Sequence, residues 1–139
     1  MDKEAIKSIL PHREPMLLID ETELIGETAT GRYTVRGDEF FLQGHFPGNP
    51  VVPGVILCEM MAQSACLLVS EPGGNYTPYF TGLNSVKFKN KVVPGDTVEF
   101  KCQLISKKSA FYFVKGEGYV KGKLCLSGEL SFAVVQNER

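Results

Sequence analysis

The chain has 139 residues, of which 43% are hydrophobic and 22% charged, and a formal net charge of −1; such a length suits one domain, 1–139, built on one core. The balanced charge gives no general pull toward nucleic acid or an anionic membrane, and no apolar run approaches the ~20 residues that cross a bilayer. The opening Met1-Asp2-Lys3-Glu4-Ala5-Ile6-Lys7 lacks the apolar stretch of a signal peptide, so a cytoplasmic protein is expected.

In chain order, Lys3 to Leu10 reads as a short helix stopped by Pro11. Asp20 to Arg36 reads as a strand pair or one bent strand, punctuated by Gly26 and Gly31. A loop from Gly37 to Gly54 follows. Val55 to Ser70 is the one long helix, bounded by Pro53-Gly54 in front and Pro72-Gly73-Gly74 behind, with apolar residues at nearly every angle. Burying about ten such side chains at roughly 1.5 to 3 kcal/mol each demands a large covering surface. Four strands supply it: Thr81–Lys89, Thr97–Lys107, Phe111–Val120 and Lys123–Val135, with turns at Lys108-Ser109 and Lys121-Gly122. In the last, Leu124, Leu126, Leu130, Phe132 and Val134 share one face while Ser127, Glu129 and Ser131 share the other. The fold class is therefore α+β, an antiparallel sheet curled around one central helix.

Cys58, Cys66, Cys102 and Cys125 are widely spaced, form no C-x-x-C pair and accompany only two histidines. They are expected to be reduced structural thiols, with no metal site and no disulfide framework. Cys58 adjoins Glu59, but a thiol in apolar surroundings is ordinarily inert.

The loop-to-helix junction carries the chemistry. His45 sits on a segment stiffened by Pro47, Pro50 and Pro53, and Glu59 falls one turn into the apolar helix, giving two proton-handling groups beside an apolar wall. Taken alone, a loop histidine is ordinarily structural, and a buried carboxyl can simply pair with an arginine. Two further groupings count here. Leu10-Pro11-His12-Arg13, the run from Gly44-His45-Phe46-Pro47-Gly48 through Val52-Pro53-Gly54-Val55 to Glu59-Met60-Met61-Ala62-Gln63, and Val86-Lys87-Phe88-Lys89 with Val93-Pro94-Gly95-Asp96 together resemble the FabZ-type 3-hydroxyacyl-acyl carrier protein dehydratases. The likeness runs over about residues 5 to 135. It departs at Glu14, Glu21 and Val52, which leaves chain-length preference and carrier recognition open.

The resemblance implies a hot-dog fold, a homodimer or trimer of dimers, and a tunnel between subunits for an acyl chain borne on the phosphopantetheine arm of acyl carrier protein. It implies no cofactor. His45 and Glu59 would be the catalytic pair, meeting across the dimer interface. Dehydration needs a base at C2, a proton for the C3 hydroxyl, and donors for charge on the thioester oxygen. His45 suits the first task, because imidazole titrates near neutrality. Glu59 suits the second: surroundings of Ile56, Leu57, Met60 and Met61 favour a neutral acid. The third falls to backbone N–H groups of Gly54 and Val55 at the helix start, which lack intrahelical acceptors and lie at the positive end of the helix dipole. Gly54, having no Cβ, would let a carbonyl approach, and Gly82 adds a contact by family analogy. Gln63, four residues after Glu59, shares its helix face and could orient the carboxyl. Tyr79, at the end of an expected flexible Gly73–Pro78 loop, matches a tunnel-gating position of some family members. His12 is expected to pack structurally with Arg13, near the site at most.

Lys87, Lys89 and Lys91 alternate along a strand, either a solvated face or a docking patch for the acidic carrier. The competing functions are a hot-dog thioesterase, which has less need of His45, and a silent carrier-binding subunit, which would be expected to lack His45 or Glu59. A dehydratase that also isomerises the double bond usually has Asp where Glu59 stands.

Overall fold

The computed structural model describes residues 1–69 and 75–137. Its elements are α1 (Lys3–Ile6), β1 (Glu21–Ile25), β2 (Thr28–Thr34), a 3-10 turn (Phe40–Leu42), α2 (Gly54–Ser64), α3 (Cys66–Val69), β3 (Tyr76–Phe88), β4 (Thr97–Lys108), β5 (Phe111–Val120) and β6 (Lys123–Gln136). The strands form one six-stranded antiparallel sheet in the order β1-β2-β4-β5-β6-β3. The expected α+β plan and hot-dog fold are what the chain adopts.

The sheet covers α2 from one side, where Leu57, Met60, Met61 and Ala65 pack with Phe100, Cys102, Val114, Leu126 and Leu130. The N-terminal arm covers α3 through Ile6, Ile9, Leu10, Leu17 and Ile19, which pack on Cys66 and Leu67. Close approach of helix to sheet requires Gly31: a Cβ there would lie 2.2 Å from Ser64 Oγ. The turn between β5 and β6 puts Lys121 at φ 51 and Gly122 at φ 77, the double positive φ of a tight hairpin turn. The β6 alternation is realised, with Leu126, Leu130 and Phe132 buried.

Three boundaries differ from the sequence expectation. The first helix ends at Ile6, and Lys7–Ile9 continues as turns in which the N–H groups of Ile9 and Leu10 both donate to the Ile6 carbonyl. The long helix breaks at Ala65. Thr22 Oγ1 donates to the Ser64 carbonyl (3.1 Å), Ser64 Oγ donates to the Met60 carbonyl (2.9 Å), and the Ala65 N–H turns back three residues to Ala62. A hydroxyl that competes for backbone carbonyls from outside the helix tightens the turn there. The expected stop at Pro72-Gly73-Gly74, and Ser70 before it, lie outside the described residues.

The third difference bears on the site. β3 starts at Tyr76, five residues before the expected Thr81, and runs through Pro78. It is an edge strand with β6 as its one neighbour, so a proline without an N–H is tolerated. The β3 ladder shifts register at Phe80/Gly82 and at Asn84/Lys87. Among the described residues no helix is long and apolar enough to cross a membrane.

Candidate active site at Glu59 and the His45 loop

Glu59 projects from α2 with its side chain 20% exposed, into a small cavity of about 40 Å3 lined by Leu10, His12, Gln63, Cys66, Pro78 and Phe132 among others. The carboxyl is not enclosed by hydrocarbon, as its apolar sequence neighbours suggested. Gln63 Nε2 donates to Glu59 Oε2 (2.8 Å), and His12 Nε2 stands 3.4 Å from the same oxygen. Helix periodicity explains the first contact, since residues four apart share a face. It points Ile56, Leu57, Met60 and Met61 at the core while Glu59 and Gln63 look toward the N-terminal arm.

Gln63 is 1% exposed, and its amide is fully occupied. Its Oε1 accepts the Leu18 N–H (2.7 Å), and its Nε2 also donates to the Met16 carbonyl (2.8 Å). These bonds fix which amide end faces Glu59, because the Leu18 N–H can only donate and the Met16 carbonyl can only accept. His12 is expected to pack with Arg13. Arg13 does hold it, donating from Nη1 to the His12 carbonyl (2.7 Å) and the Leu10 carbonyl (2.9 Å), but the imidazole itself faces Glu59. The only signal in the sequence was the Leu10-Pro11-His12-Arg13 grouping.

His45 lies half-buried on a loop held by main-chain bonds. Its N–H donates to the Leu42 carbonyl (3.1 Å), its carbonyl accepts the Val51 N–H (2.9 Å), and Phe46 and Asn49 exchange bonds across the turn. The Val52 N–H anchors the exit to the Val92 carbonyl (2.9 Å). The imidazole stacks on Phe46 at 4.2 Å, and its Nδ1 sits 2.9 Å from the Val51 carbonyl. A carbonyl only accepts, so Nδ1 carries the hydrogen, and in the neutral ring Nε2 keeps a free lone pair. The approach to the loop is fixed by Glu39, whose carboxylate accepts from Tyr33 Oη (2.7 Å) and the N–H groups of Arg36 (2.9 Å) and Gly37 (2.8 Å). Burial pushes the Glu39 carboxyl up, but these donors outweigh it and hold it below its ordinary range. The Tyr33 phenol is pushed up by its burial and by that carboxylate.

Within one chain, no hydrogen bond or ion pair among the described residues joins His45 to Glu59, and no residue of the 44–54 loop lines the Glu59 cavity. At the start of α2, Pro53 is the N-cap residue and makes no side-chain cap. The Ile56 and Leu57 N–H groups turn back to the Pro53 carbonyl, while those of Gly54 and Val55 find no acceptor among the described residues. Val55 is exposed, but a Cβ on Gly54 would lie 2.8 Å from the Phe88 ring. The bare Cα of Gly54 thus makes room for the Phe88 ring.

Gly82 follows the first β3 register shift, and its carbonyl lies 3.4 Å from Ser131 Oγ. Tyr79 is on β3 opposite Ala133 and 56% exposed, so it is a strand residue and not the end of a flexible loop; Gly73 and Gly74 of that expected loop lie outside the described residues. Lys87 pairs with Ser127 on β3, but the strand stops at Phe88, so Lys89 and Lys91 lie beyond it and no single strand face carries all three. Lys89 keeps one bond in line, its N–H donating to the Cys125 carbonyl (2.7 Å).

All four cysteines are free and buried. Burial pushes the Cys66 and Cys102 thiols up to about 12, and burial with the nearby Glu59 charge raises Cys58. Among the described residues no group of three or more His, Cys, Asp or Glu side chains is arranged to hold a metal ion.

Residues 21–129 match the family model of the ApeI-like proteins, described as ApeI dehydratase. The 3-hydroxyacyl-[acyl-carrier-protein] dehydratase FabZ of Clostridium perfringens strain SM101 is 42% identical over 137 residues, covering 96% of this chain and 99% of the relative. The protein of the same name from Caldicellulosiruptor saccharolyticus is 44% identical over 137 residues, covering 96% and 98%. In structure, a chain of the ApeI:P dehydratase heterocomplex of Xenorhabdus doucetiae superposes with a TM-score of 0.76 over 97% of this chain and 92% of its own, at 20% identity. An antiparallel sheet around a helix that carries Glu59, together with full-length likeness at this level, puts the chain in the family of FabZ-type 3-hydroxyacyl-[acyl-carrier-protein] dehydratases.

Proposed function

We infer that this protein removes water from 3-hydroxyacyl thioesters borne on acyl carrier protein, yielding trans-2-enoyl thioesters for fatty acid biosynthesis. Near-full-length relatives bearing the dehydratase name support the activity. The observation that carries the chemistry is the 2.9 Å approach of His45 Nδ1 to the Val51 carbonyl, which assigns the hydrogen of a neutral ring to Nδ1 and leaves Nε2 as a base.

His45 Nε2 takes the C2 proton, and its electron pair forms the C2–C3 double bond as the C3–O bond breaks. Glu59 gives a proton to the departing hydroxyl, which leaves as water. Charge that gathers on the thioester oxygen is met by the N–H groups of Gly54 and Val55, a contribution of roughly 2.7 to 4 kcal/mol for a good donor. Gly82 lines the approach. Gln63 orients the carboxyl. Tyr79, exposed on the β3 edge, gates the entrance.

The active site is shared between two copies of the chain, His45 from one and Glu59 from the other, in a dimer or a trimer of dimers. The separate surroundings of the two groups in a single chain support this. Lys87, Lys89 and Lys91 offer positive charge to an acidic carrier, which raises encounter rates at low salt.

The test is an assay of purified protein with a 3-hydroxyacyl thioester, on carrier protein and on a small thiol. Enoyl thioester absorbance without free thiol is expected. Release of thiol without enoyl product would replace this reading by the thioesterase one. Reversing the three lysines to Glu is expected to slow turnover of the carrier-linked substrate alone; equal loss on both substrates would remove the docking role.

A further inference from the structure

Resting on the acid role of Glu59 just given, we propose that His12 is a positioning residue for that carboxyl: with Gln63 it occupies Oε2 from a second side, leaving Oε1 alone to face the substrate.

Three observations converge. Oε2 is met by Gln63 Nε2 at 2.8 Å and His12 Nε2 at 3.4 Å, both within one chain. The second distance is a close approach rather than a formed hydrogen bond, and such approaches commonly tighten when substrate fills a site. Next, His12 Nδ1 is sealed from solvent and has no partner among the described residues. Because the single chain already seals it, neither water nor a second subunit reaches that atom. A hydrogen on Nδ1 would be a buried donor with no acceptor among the described residues, so the hydrogen belongs on Nε2, the nitrogen 3.4 Å from Glu59. Finally, the main chain around His12 is clamped. Arg13 donates to the carbonyls of Lys7 (3.2 Å), Leu10 (2.9 Å) and His12 (2.7 Å), and the Met16 N–H closes onto the Arg13 carbonyl (2.8 Å). An unpartnered ring nitrogen is costly to bury, and a histidine held this firmly keeps that cost in exchange for the Nε2 contact.

The consequence for catalysis is directional. A carboxyl free to rotate presents either oxygen. One pinned at Oε2 puts its proton on Oε1 and delivers it toward C3 in every turnover.

The experiment compares His12→Gln, whose amide nitrogen reaches the position of Nε2, with His12→Asn, which keeps a polar group of similar kind but stops short of Glu59. Expected are kcat reduced about tenfold in His12→Asn with KM within about twofold of wild type, and kcat within about threefold of wild type in His12→Gln. In substrate-free protein, the 13C carboxyl titration of Glu59, assigned by loss of its signal in Glu59→Gln, should be displaced in His12→Asn and restored in His12→Gln. Equal kcat in the two variants, or superimposable Glu59 titrations, would overturn the proposal. If wild type dehydrates no 3-hydroxyacyl thioester, the proposed function falls, while the carboxyl titrations still decide whether His12 governs Glu59.

Discussion

The two halves of the candidate site are held in opposite ways. Glu59 rides on a helix and is laced to the N-terminal arm by side-chain bonds through Gln63, with His12 alongside. His45 rides on a loop whose bonds are nearly all backbone to backbone, and its stacking partner Phe46 is 52% exposed. The proposed acid is therefore built by one chain from within, whereas the proposed base is presented outward on a frame held mainly by main-chain bonds. That is the division expected of a site completed by a second copy. The buried half should be sensitive to stability, the exposed half to chemistry.

The widest separation should come from the proposed reacting groups themselves. His45→Ala and Glu59→Gln are each expected to lower turnover by at least about 10²-fold, with Tm changed by no more than about 3 °C for His45→Ala, since one half-buried hydrogen bond is lost. Near-normal turnover in steady-state assays of either variant would dissolve the pairing of the two halves.

The buried half breaks differently. Gln63→Leu leaves the Leu18 N–H and the Met16 carbonyl without partners, at a cost of ~1–3 kcal/mol for each group, so a Tm about 10 °C lower is expected by calorimetry. A Tm equal to that of His45→Ala would erase the contrast.

A smaller effect probes the seam between the halves, where Phe88 lies over the start of α2. Gly54→Ala forces a Cβ against the Phe88 ring, given the 2.8 Å spacing, and should destabilise by about 1–3 kcal/mol as overpacking does. Because the ring is the far end of an exposed side chain, the Phe88→Ala background should relieve most of it. Additive losses in the double mutant would place the strain elsewhere.

Much of this was legible in the sequence because it depends on neighbours along the chain. The apolar run of α2, the alternation of β6, the Lys121-Gly122 turn and the Glu59–Gln63 pair all follow from periodicity. What escaped depends on residues distant in sequence. The helix breaks at Ala65 because the Thr22 hydroxyl reaches the Ser64 carbonyl. β3 absorbs Pro78 because the topology leaves it at an edge, which no window of residues reveals. The approach of His12 to Glu59 joins two elements, and the Phe88 ring that lies against the Cα of Gly54 comes from a third.

The finest probe of the loop half is pH. Donors from Tyr33, Arg36 and Gly37 hold the Glu39 carboxyl below its ordinary value of 4.5 despite its burial. A carboxyl lowered in the folded state contributes stability that is complete above the unfolded-state value and is lost as pH falls through the folded one. Its share is therefore complete above the ordinary carboxylate value of 4.5 and is lost as the pH falls through the lower, folded-state value. Glu39→Gln, which cannot ionise, should lower Tm by on the order of 2 °C near neutrality and bring variant and wild type together under acid conditions. Because Glu39 fixes the entry to the loop, the same variant should slow turnover modestly above pH 5 while leaving KM for a small thioester unchanged. A Tm difference that persists undiminished at pH 3 would mean that the carboxylate charge does not anchor the His45 loop, and the two halves would then differ in exposure alone.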